Sequence, residues 1–369
     1  MATGLLTVGL AAVAVPAAQA APIESTSGYI VALRAGGPAT LANRFTGRVE
    51  HTYDGAFDGF SARLTRSEAA RLAADPGVAY VVADTPVRAL GEQPNPPSWG
   101  LDRIDQRRLP LDALYRFANT APNVTAYVID TGVRATHADF GGRVRGGIDL
   151  VDDDGNPDDG NGHGTFIAGI IGGSRFGVAK EITITPVRVL NNAGSGTMAD
   201  VIAGVNWVAA NARKPAVANM SLGGAANAAL DTAVRNAIAS GVTFVVAAGS
   251  SASDAGNFSP ARVREAITTA ATRMDDCVFP PSNFGPLIDL YAPGERITST
   301  WATSDTATNT ISGTSFSTPH VVGGAALILS TRPAATPAQV ASTLITRSTM
   351  GVLCNVRPNT ANRLLYTGP

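Results

Sequence analysis

Cysteine, aromatic side chains and charge are all scarce in this chain. Of its 369 residues only two are cysteines, 6% are aromatic and 15% are charged, and 28 Lys and Arg against 29 Asp and Glu leave a net charge of -1. Two cysteines, Cys277 and Cys354, are too few for a disulfide scaffold and lack metal-site spacing. A near-neutral balance with no basic stripe and no interleaving of aromatic and basic residues argues against a nucleic-acid partner. Beyond the first 20 positions no stretch is apolar enough for a membrane helix. Glycine and alanine are plentiful instead, and the length suggests two domains or more.

Residues 1–20 carry an apolar run, Leu5 to Val15, too short to span a bilayer. It closes in Ala18-Gln19-Ala20, a small-x-small cleavage pattern, so the segment reads as a secretory signal and the protein as extracellular. No Lys or Arg precedes the run, a departure from the usual signal. A compact unit follows over 28–90. Its pattern predicts strands at Gly28–Leu33, Phe57–Leu64 and Val78–Val82, and Thr65-Arg66-Ser67-Glu68 is a capping box that opens a helix ended by Asp75-Pro76-Gly77. That arrangement is a small α+β sandwich, marginal alone and in need of a partner surface. A proline-rich link at 91–97 is open to cleavage.

Residues 98–369 alternate strand and helix. Val124–Ile129, Ile182–Val189, Ala216–Met220 and Val242–Val246 are near-continuous apolar runs, as expected of buried parallel strands, with helices predicted over Thr197–Asn211 and Ala228–Ser240. The fold class is therefore α/β, a three-layer, doubly wound, mostly parallel sheet whose site should lie beyond the carboxyl ends of its strands. Asp130 ends the first of these strands, in Val128-Ile129-Asp130-Thr131-Gly132. His163 heads an apolar helix in Asn161-Gly162-His163-Gly164-Thr165, and Ser315 stands in Gly313-Thr314-Ser315-Phe316-Ser317-Thr318-Pro319-His320, before a buried helix over Val321–Leu329 with Pro319 in its first turn. Serine needs a base to attack near neutral pH, and the base needs an acceptor to fix its tautomer. Asp130, His163 and Ser315 supply those types. Plainer readings exist for each: a tight turn at Ser315, a structural role for His163, and for Asp130-Thr131-Gly132 an aspartic-protease loop that lacks its second carboxylate. His320 reads as a satisfied structural histidine, His137 as part of a surface turn and His51 as part of the small unit; the four histidines share no ligand spacing.

Taken together, the three motif blocks and the N-terminal unit resemble the subtilisin family of secreted serine proteases, in its proteinase K-like branch, with an inhibitory propeptide of the I9 type and a ferredoxin-like fold. The order aspartate, histidine, serine is the one known for that family. The resemblance implies a serine endopeptidase (EC 3.4.21) in which Asp130 orients His163, His163 takes the proton of Ser315, and Ser315 forms an acyl-enzyme. It implies that Gly194-Ser195-Gly196 pairs with the substrate backbone. Ser221-Leu222-Gly223-Gly224 and Ala247-Ala248-Gly249 would wall a small uncharged pocket favouring apolar or aromatic side chains before the scissile bond.

The family pattern also brings differences. Where it has an oxyanion-binding asparagine after Ala-Ala-Gly, this chain has Ser250, leaving the backbone N–H of Ser315 as the other donor; a slow protease is expected, with a non-catalytic peptide-binding relative as the alternative. Phe316 replaces a usual methionine, so oxidative inactivation there should be weak, and Phe166 replaces a frequent histidine with a packing role. Catalysis needs no cofactor, but a structural calcium is implied at Asp289 with the carbonyls of Arg264 and Ala266. Asp152-Asp153-Asp154 with Asp158-Asp159 reads as a solvated acidic loop in preference to a second cation loop. Partners are protein and peptide substrates and the chain's own propeptide, acting on a monomer. Cleavage after Leu90 would leave Val87-Arg88-Ala89-Leu90 as product in the cleft, which makes leucine the expected preference at P1. In a secreted chain the two thiols are expected to pair; the bridge would close about 77 residues and contribute roughly 4 to 5 kcal/mol.

Overall fold

The computed structural model describes residues 24–34, 39–45, 48–85 and 91–369, and the chain divides into two compact units, Met1–Arg88 and Ala89–Pro369. The expected signal at 1–20 and the expected product tail Val87–Leu90 lie outside the described residues.

In the first unit, β1 (Thr26–Leu33), a 3-10 turn at Ala39–Phe45, β2 (Val49–Asp54), β3 (Asp58–Thr65), α1 (Arg66–Ala73) and β4 (Val78–Ala83) build an antiparallel sheet in the order β2-β3-β1-β4. Thr65 caps α1 as the sequence reading has it: its hydroxyl accepts from the N–H of Glu68, while Glu68 accepts from the N–H of Thr65. Val31, Phe60, Leu64, Leu72 and Val78 form the core between sheet and helix. This is the ferredoxin-like arrangement, with a 3-10 turn in place of the first helix.

The second unit runs β5 (Gly91–Pro94), α2 (Trp99–Ile104), β6 (Leu114–Phe117), β7 (Thr125–Asp130), β8 (Ile148–Asp149), α3 (His163–Gly172), β9 (Thr183–Arg188), α4 (Met198–Asn211), β10 (Ala216–Met220), β11 (Gly224–Ala225), α5 (Ala228–Ala239) and β12 (Thr243–Ala247). It continues with β13 (Phe258–Ser259), β14 (Ile267–Thr272), β15 (Leu290–Pro293), β16 (Ile297–Thr300), β17 (Thr308–Ile311), α6 (Thr314–Thr331), α7 (Pro337–Arg347), β18 (Thr349–Met350) and β19 (Arg363–Leu364). Nine of these strands form one sheet in the order β18-β19-β15-β14-β12-β10-β7-β9-β8, parallel except for β18. Both faces are covered, so successive strand residues serve two cores. In β7, Ala126 and Val128 join the layer with α3 and α6, whereas Tyr127 and Ile129 join that with α4 and α5.

Small polar side chains cap α4, α5 and α7. Thr197 and Asp200 form a capping box on α4, and Asn227 accepts two N–H groups at the head of α5. Gly241, at φ +99°, turns the chain after α5. One boundary differs from the sequence reading: α6 begins at Thr314, so Ser315 is inside its first turn and Pro319 is its sixth residue. Proline lacks an N–H, so the carbonyl of Ser315, four residues back, loses its helical donor. That vacancy shapes the site.

Candidate active site

Asp130 is the last residue of β7 and His163 the first of α3, and glycine brings the two elements together. A Cβ on Gly164 would lie 2.1 Å from the carbonyl oxygen of Gly132, an approach only glycine allows. Asp130 is buried, and its Oδ1 accepts from His163 Nδ1 at 2.7 Å and from the N–H of Thr131 at 2.8 Å. Burial pushes the His163 pKa down, but the charge of Asp130 and its hydrogen bond outweigh it, so the net shift is upward. With Nδ1–H donating to Asp130, Nε2 carries the lone pair of the neutral ring.

Asp159 sets this hinge, and the sequence reading of a solvated acidic loop is wrong for it. It is 8% exposed and accepts five hydrogen bonds: from the hydroxyl of Thr131 and the N–H groups of Asn161 and Gly162 on Oδ1, and from the N–H and hydroxyl of Thr165 on Oδ2. A buried carboxylate needs such donors, and here they tie the Asp130 turn to the first turn of α3. Asp152 is also engaged, 2.5 Å from Arg188.

Ser315 and Ser221 hold each other by a reciprocal pair of bonds. Ser221 Oγ donates to the Ser315 carbonyl at 2.8 Å, the acceptor that Pro319 leaves without a helical partner, and Ser315 Oγ donates to the Ser221 carbonyl at 3.1 Å. The next residue, Phe316, faces His163 edge-on, with ring centroids 5.5 Å apart, and packs on Phe166 at 4.9 Å. Phe166 meets Trp301 in turn. An aromatic wall therefore backs the imidazole, and two of the residues that depart from the family pattern, Phe166 and Phe316, touch each other there.

Beside these groups lies a cleft of about 550 Å³ lined in part by His163, Gly194–Gly196 and Ser221–Gly223, with Leu190, Met198 and Val201 as apolar lining not anticipated from sequence. Gly194-Ser195-Gly196 is an exposed loop, not a regular strand; Asn191 holds it through its side chain, which accepts from the N–H of Ser195, and its own N–H, which donates to the Ser195 carbonyl. Gly224 pairs with Ser259. Ala247 and Ala248 are buried, and the N–H of Gly249 donates to Thr314 Oγ1 at 3.2 Å. Ser250 Oγ accepts from the N–H of Thr314 at 3.2 Å and lies 3.2 Å from Thr314 Oγ1.

His137 and His320 are structural. His137 is buried, its Nδ1 accepting from Asp139 and its Nε2 meeting the Ala307 carbonyl at 3.0 Å, so it is no surface turn. His320 donates from Nδ1 to the Phe316 carbonyl at 2.9 Å, but its Nε2 is buried without a partner, and burial lowers its pKa to about 4. His51 is exposed on β2. Cys277 and Cys354 are joined in a disulfide.

Among the described residues no three His, Cys, Asp or Glu side chains gather as a metal site. Asp289 still fits a hard cation shared with backbone carbonyls. Its Oδ2 accepts from the N–H of Thr268 at 2.8 Å, no ion pair among the described residues meets its carboxylate, and burial pushes its pKa up to about 6.

Comparison with known proteins identifies the family. The profile described as "Subtilase family" matches residues 122–364, and that described as "Peptidase inhibitor I9" matches 28–90. The chain is 54% identical over 320 residues to an "Extracellular serine proteinase" of Thermus sp. (strain Rt41A), covering 87% of this chain and 78% of that one. It is 46% identical over 332 residues to "Alkaline serine exoprotease A" of Vibrio alginolyticus, covering 89% of this chain and 62% of that one. A crystal structure of a cold adapted subtilisin-like serine proteinase superposes with a TM-score of 0.72 at 52% identity, covering 73% of this chain and 98% of that one.

Proposed function

This chain belongs to the subtilase family and is a serine-type endopeptidase with an I9 propeptide domain, and from that premise we propose that Asp130, His163 and Ser315 are its catalytic triad. The observation that carries the proposal is the 2.7 Å bond from His163 Nδ1 to the buried Asp130. It leaves Nε2 as the base, and the imidazole meets the ring of Phe316, the residue that follows Ser315.

For attack, Ser315 Oγ gives up its bond to the Ser221 carbonyl and turns its proton to His163 Nε2. Oγ bonds to the substrate carbonyl carbon as the proton passes to the imidazole; the C–N bond then breaks, with that proton going to the leaving amine. Water, deprotonated by His163, hydrolyses the ester and restores Ser315. The Ser315 N–H, within the first turn of α6 where helical acceptors are lacking, faces the developing oxyanion, and Ser250 assists as a weaker donor than an amide. Gly194–Gly196 would pair with the peptide backbone. The pocket between Ser221–Gly224 and Ala247–Gly249, uncharged and glycine-rich, favours apolar or aromatic P1 residues.

The remaining parts follow from the same reading. The N-terminal unit acts as chaperone and inhibitor until self-cleavage near Leu90-Gly91, and the product is a secreted monomer. Asp289 with the carbonyls of Arg264 and Ala266 would hold a structural calcium, whose charge would offset the burial of that carboxylate. Intact mass tests the core of the proposal. Phenylmethanesulfonyl fluoride should add one label at Ser315, and the precursor should shed about 70 to 90 N-terminal residues, up to the proposed cut near Leu90-Gly91. Ser315→Ala should do neither. Shedding by the purified variant at the wild-type rate would overturn the assignment.

A further inference from the structure

Parallel strands that end at the triad begin at a second cavity. Asp130 is the last residue of β7, whereas Thr125 is the first, and Thr183 is the first of β9. Five residues of strand separate these ends by about 17 Å. At the amino ends opens a pocket of about 480 Å³, lined by Trp207, Tyr127, Arg145, Arg213, Asn211 and the threonines of β7 and β9. No Asp or Glu lines it.

Its polar groups are placed and left unspent. The Arg145 backbone is pinned to β9: its N–H donates to the Ile184 carbonyl at 2.9 Å and its carbonyl accepts from Thr185 Oγ1 at 3.1 Å. Among the described residues its guanidinium spends only Nε, on the Gly142 carbonyl. Arg213 is fixed by its own N–H, which donates to the Tyr127 hydroxyl at 2.8 Å, and its guanidinium makes no described hydrogen bond or ion pair. Trp207 stands edge-on to Tyr127, centroids 6.3 Å apart, and is itself half-buried, so one part of the indole packs and another lines the pocket. The amide nitrogen of Asn211 donates to the Trp207 carbonyl, and its oxygen accepts no described hydrogen bond.

Two guanidinium forks free of carboxylates call for an anion, and a planar indole between hydroxyl and amide groups suits the face of a sugar ring. A nucleic acid would need a longer basic track. We propose that this pocket is an exosite for an acidic saccharide, such as a uronate oligomer, and that it anchors the protease to acidic polysaccharide while leaving the cleft at the other end of the strands open to peptide.

Calorimetric titration of the full-length chain with hexagalacturonate, in about 50 mM salt, tests this. Binding should weaken as salt rises, and maltohexaose should not bind at the same concentration. Arg145→Ala, Arg213→Ala and Trp207→Ala should each weaken binding by about fivefold or more, the typical loss for a charge-assisted bond or stacked ring. Arg145→Lys, keeping charge without the fork, should fall between. Turnover of a small peptide p-nitroanilide should be unchanged in all four, which also shows that they fold. The proposal is overturned if hexagalacturonate does not bind at millimolar concentration, or if it binds the Arg145→Ala, Arg213→Ala double variant as well as wild type. Equal binding of polyglutamate that ignores Trp207→Ala would overturn it too, in favour of an acidic peptide.

Discussion

Replacing Ser250 by asparagine should make this enzyme faster. Removing one side-chain oxyanion donor costs about 10²–10³ in kcat, roughly 2.7–4 kcal/mol, in the enzyme of this family where it has been measured. That is the ceiling for what Ser250→Asn could restore. The hydroxyl of Ser250 accepts the N–H of Thr314 and sits against Thr314 Oγ1, so it is held toward the start of α6 and is shorter than an amide. A gain of about tenfold to a hundredfold in kcat is expected, with KM nearly unchanged, because the added bond forms only as the carbonyl becomes an oxyanion. The exchange has a structural cost: if the new amide turns to the substrate, the Thr314 N–H loses its acceptor, at about 1–3 kcal/mol of stability. Ser250→Ala makes the control. If the serine is a weak donor, alanine should lower kcat by less than about tenfold, beneath the loss seen where an amide is removed. Steady-state and burst kinetics on a leucyl p-nitroanilide peptide would measure both. A hundredfold loss in Ser250→Ala together with no gain in Ser250→Asn would refute the reasoning and make the serine hydroxyl a full donor.

Five further outcomes follow. Because His163 must be neutral to act and Asp130 raises its pKa, kcat/KM should climb with pH through a value above 6.5; Asp130→Asn should move that rise to lower pH and cut kcat by about 10⁴, the loss seen for this change in another triad. The His163–Asp130 pair also stabilises the fold below the unfolded histidine pKa, and that contribution should fade as pH rises through the raised value, a slope absent from the denaturation profile of His163→Ala. Asp289 has the opposite origin but the same sign: its folded pKa of about 6 lies above the unfolded value of 3.8, so in EDTA stability should fall between those pH values. Calcium at a hundred times its dissociation constant should restore about 2.7 kcal/mol, and Asp289→Asn should abolish that response in calorimetry. Ser221→Ala leaves the Ser315 carbonyl without the bond that replaces its helical donor; kcat should drop by about tenfold or more while fluorophosphonate labelling of Ser315 slows in parallel, whereas a pure stability loss would leave labelling at low temperature unchanged. Phe316→Met should make activity sensitive to peroxide, with the added oxygen mapping to position 316 by peptide mass.

Much of the architecture could be read from local pattern because local pattern causes it. The apolar strands, the capping box at Thr65 and the glycine after α5 each satisfy a rule whose partners lie within a few positions. The three reactive residue types were visible for a related reason: each stands at the end of a strand or the head of a helix, where sequence marks the boundary with glycine and threonine. What stayed hidden lies in contacts between distant positions. Asp159 shares its composition with Asp152–Asp154 nearby, and only burial, with five donors folded around it, separates a structural carboxylate from a solvated one. Phe316 could be compared with a family pattern, but nothing in Thr314-Ser315-Phe316 states that its ring faces an imidazole 153 positions earlier in the chain, at His163.

Pro319 shows how the two kinds of information combine. Read alone, a proline near the start of an apolar run marks the first turn of a helix, and that reading put the helix start too late. With α6 beginning at Thr314, the same proline removes a donor from inside the helix, and the carbonyl it strands belongs to Ser315 itself. A stranded carbonyl at a partly buried position must find a partner, and Ser221 supplies it from the wall of the cleft, 94 positions away, while its own carbonyl holds the serine hydroxyl. The proposed nucleophile is thereby tied to the segment proposed to bind substrate. A local rule about proline becomes a statement about the active site once the helix boundary is known.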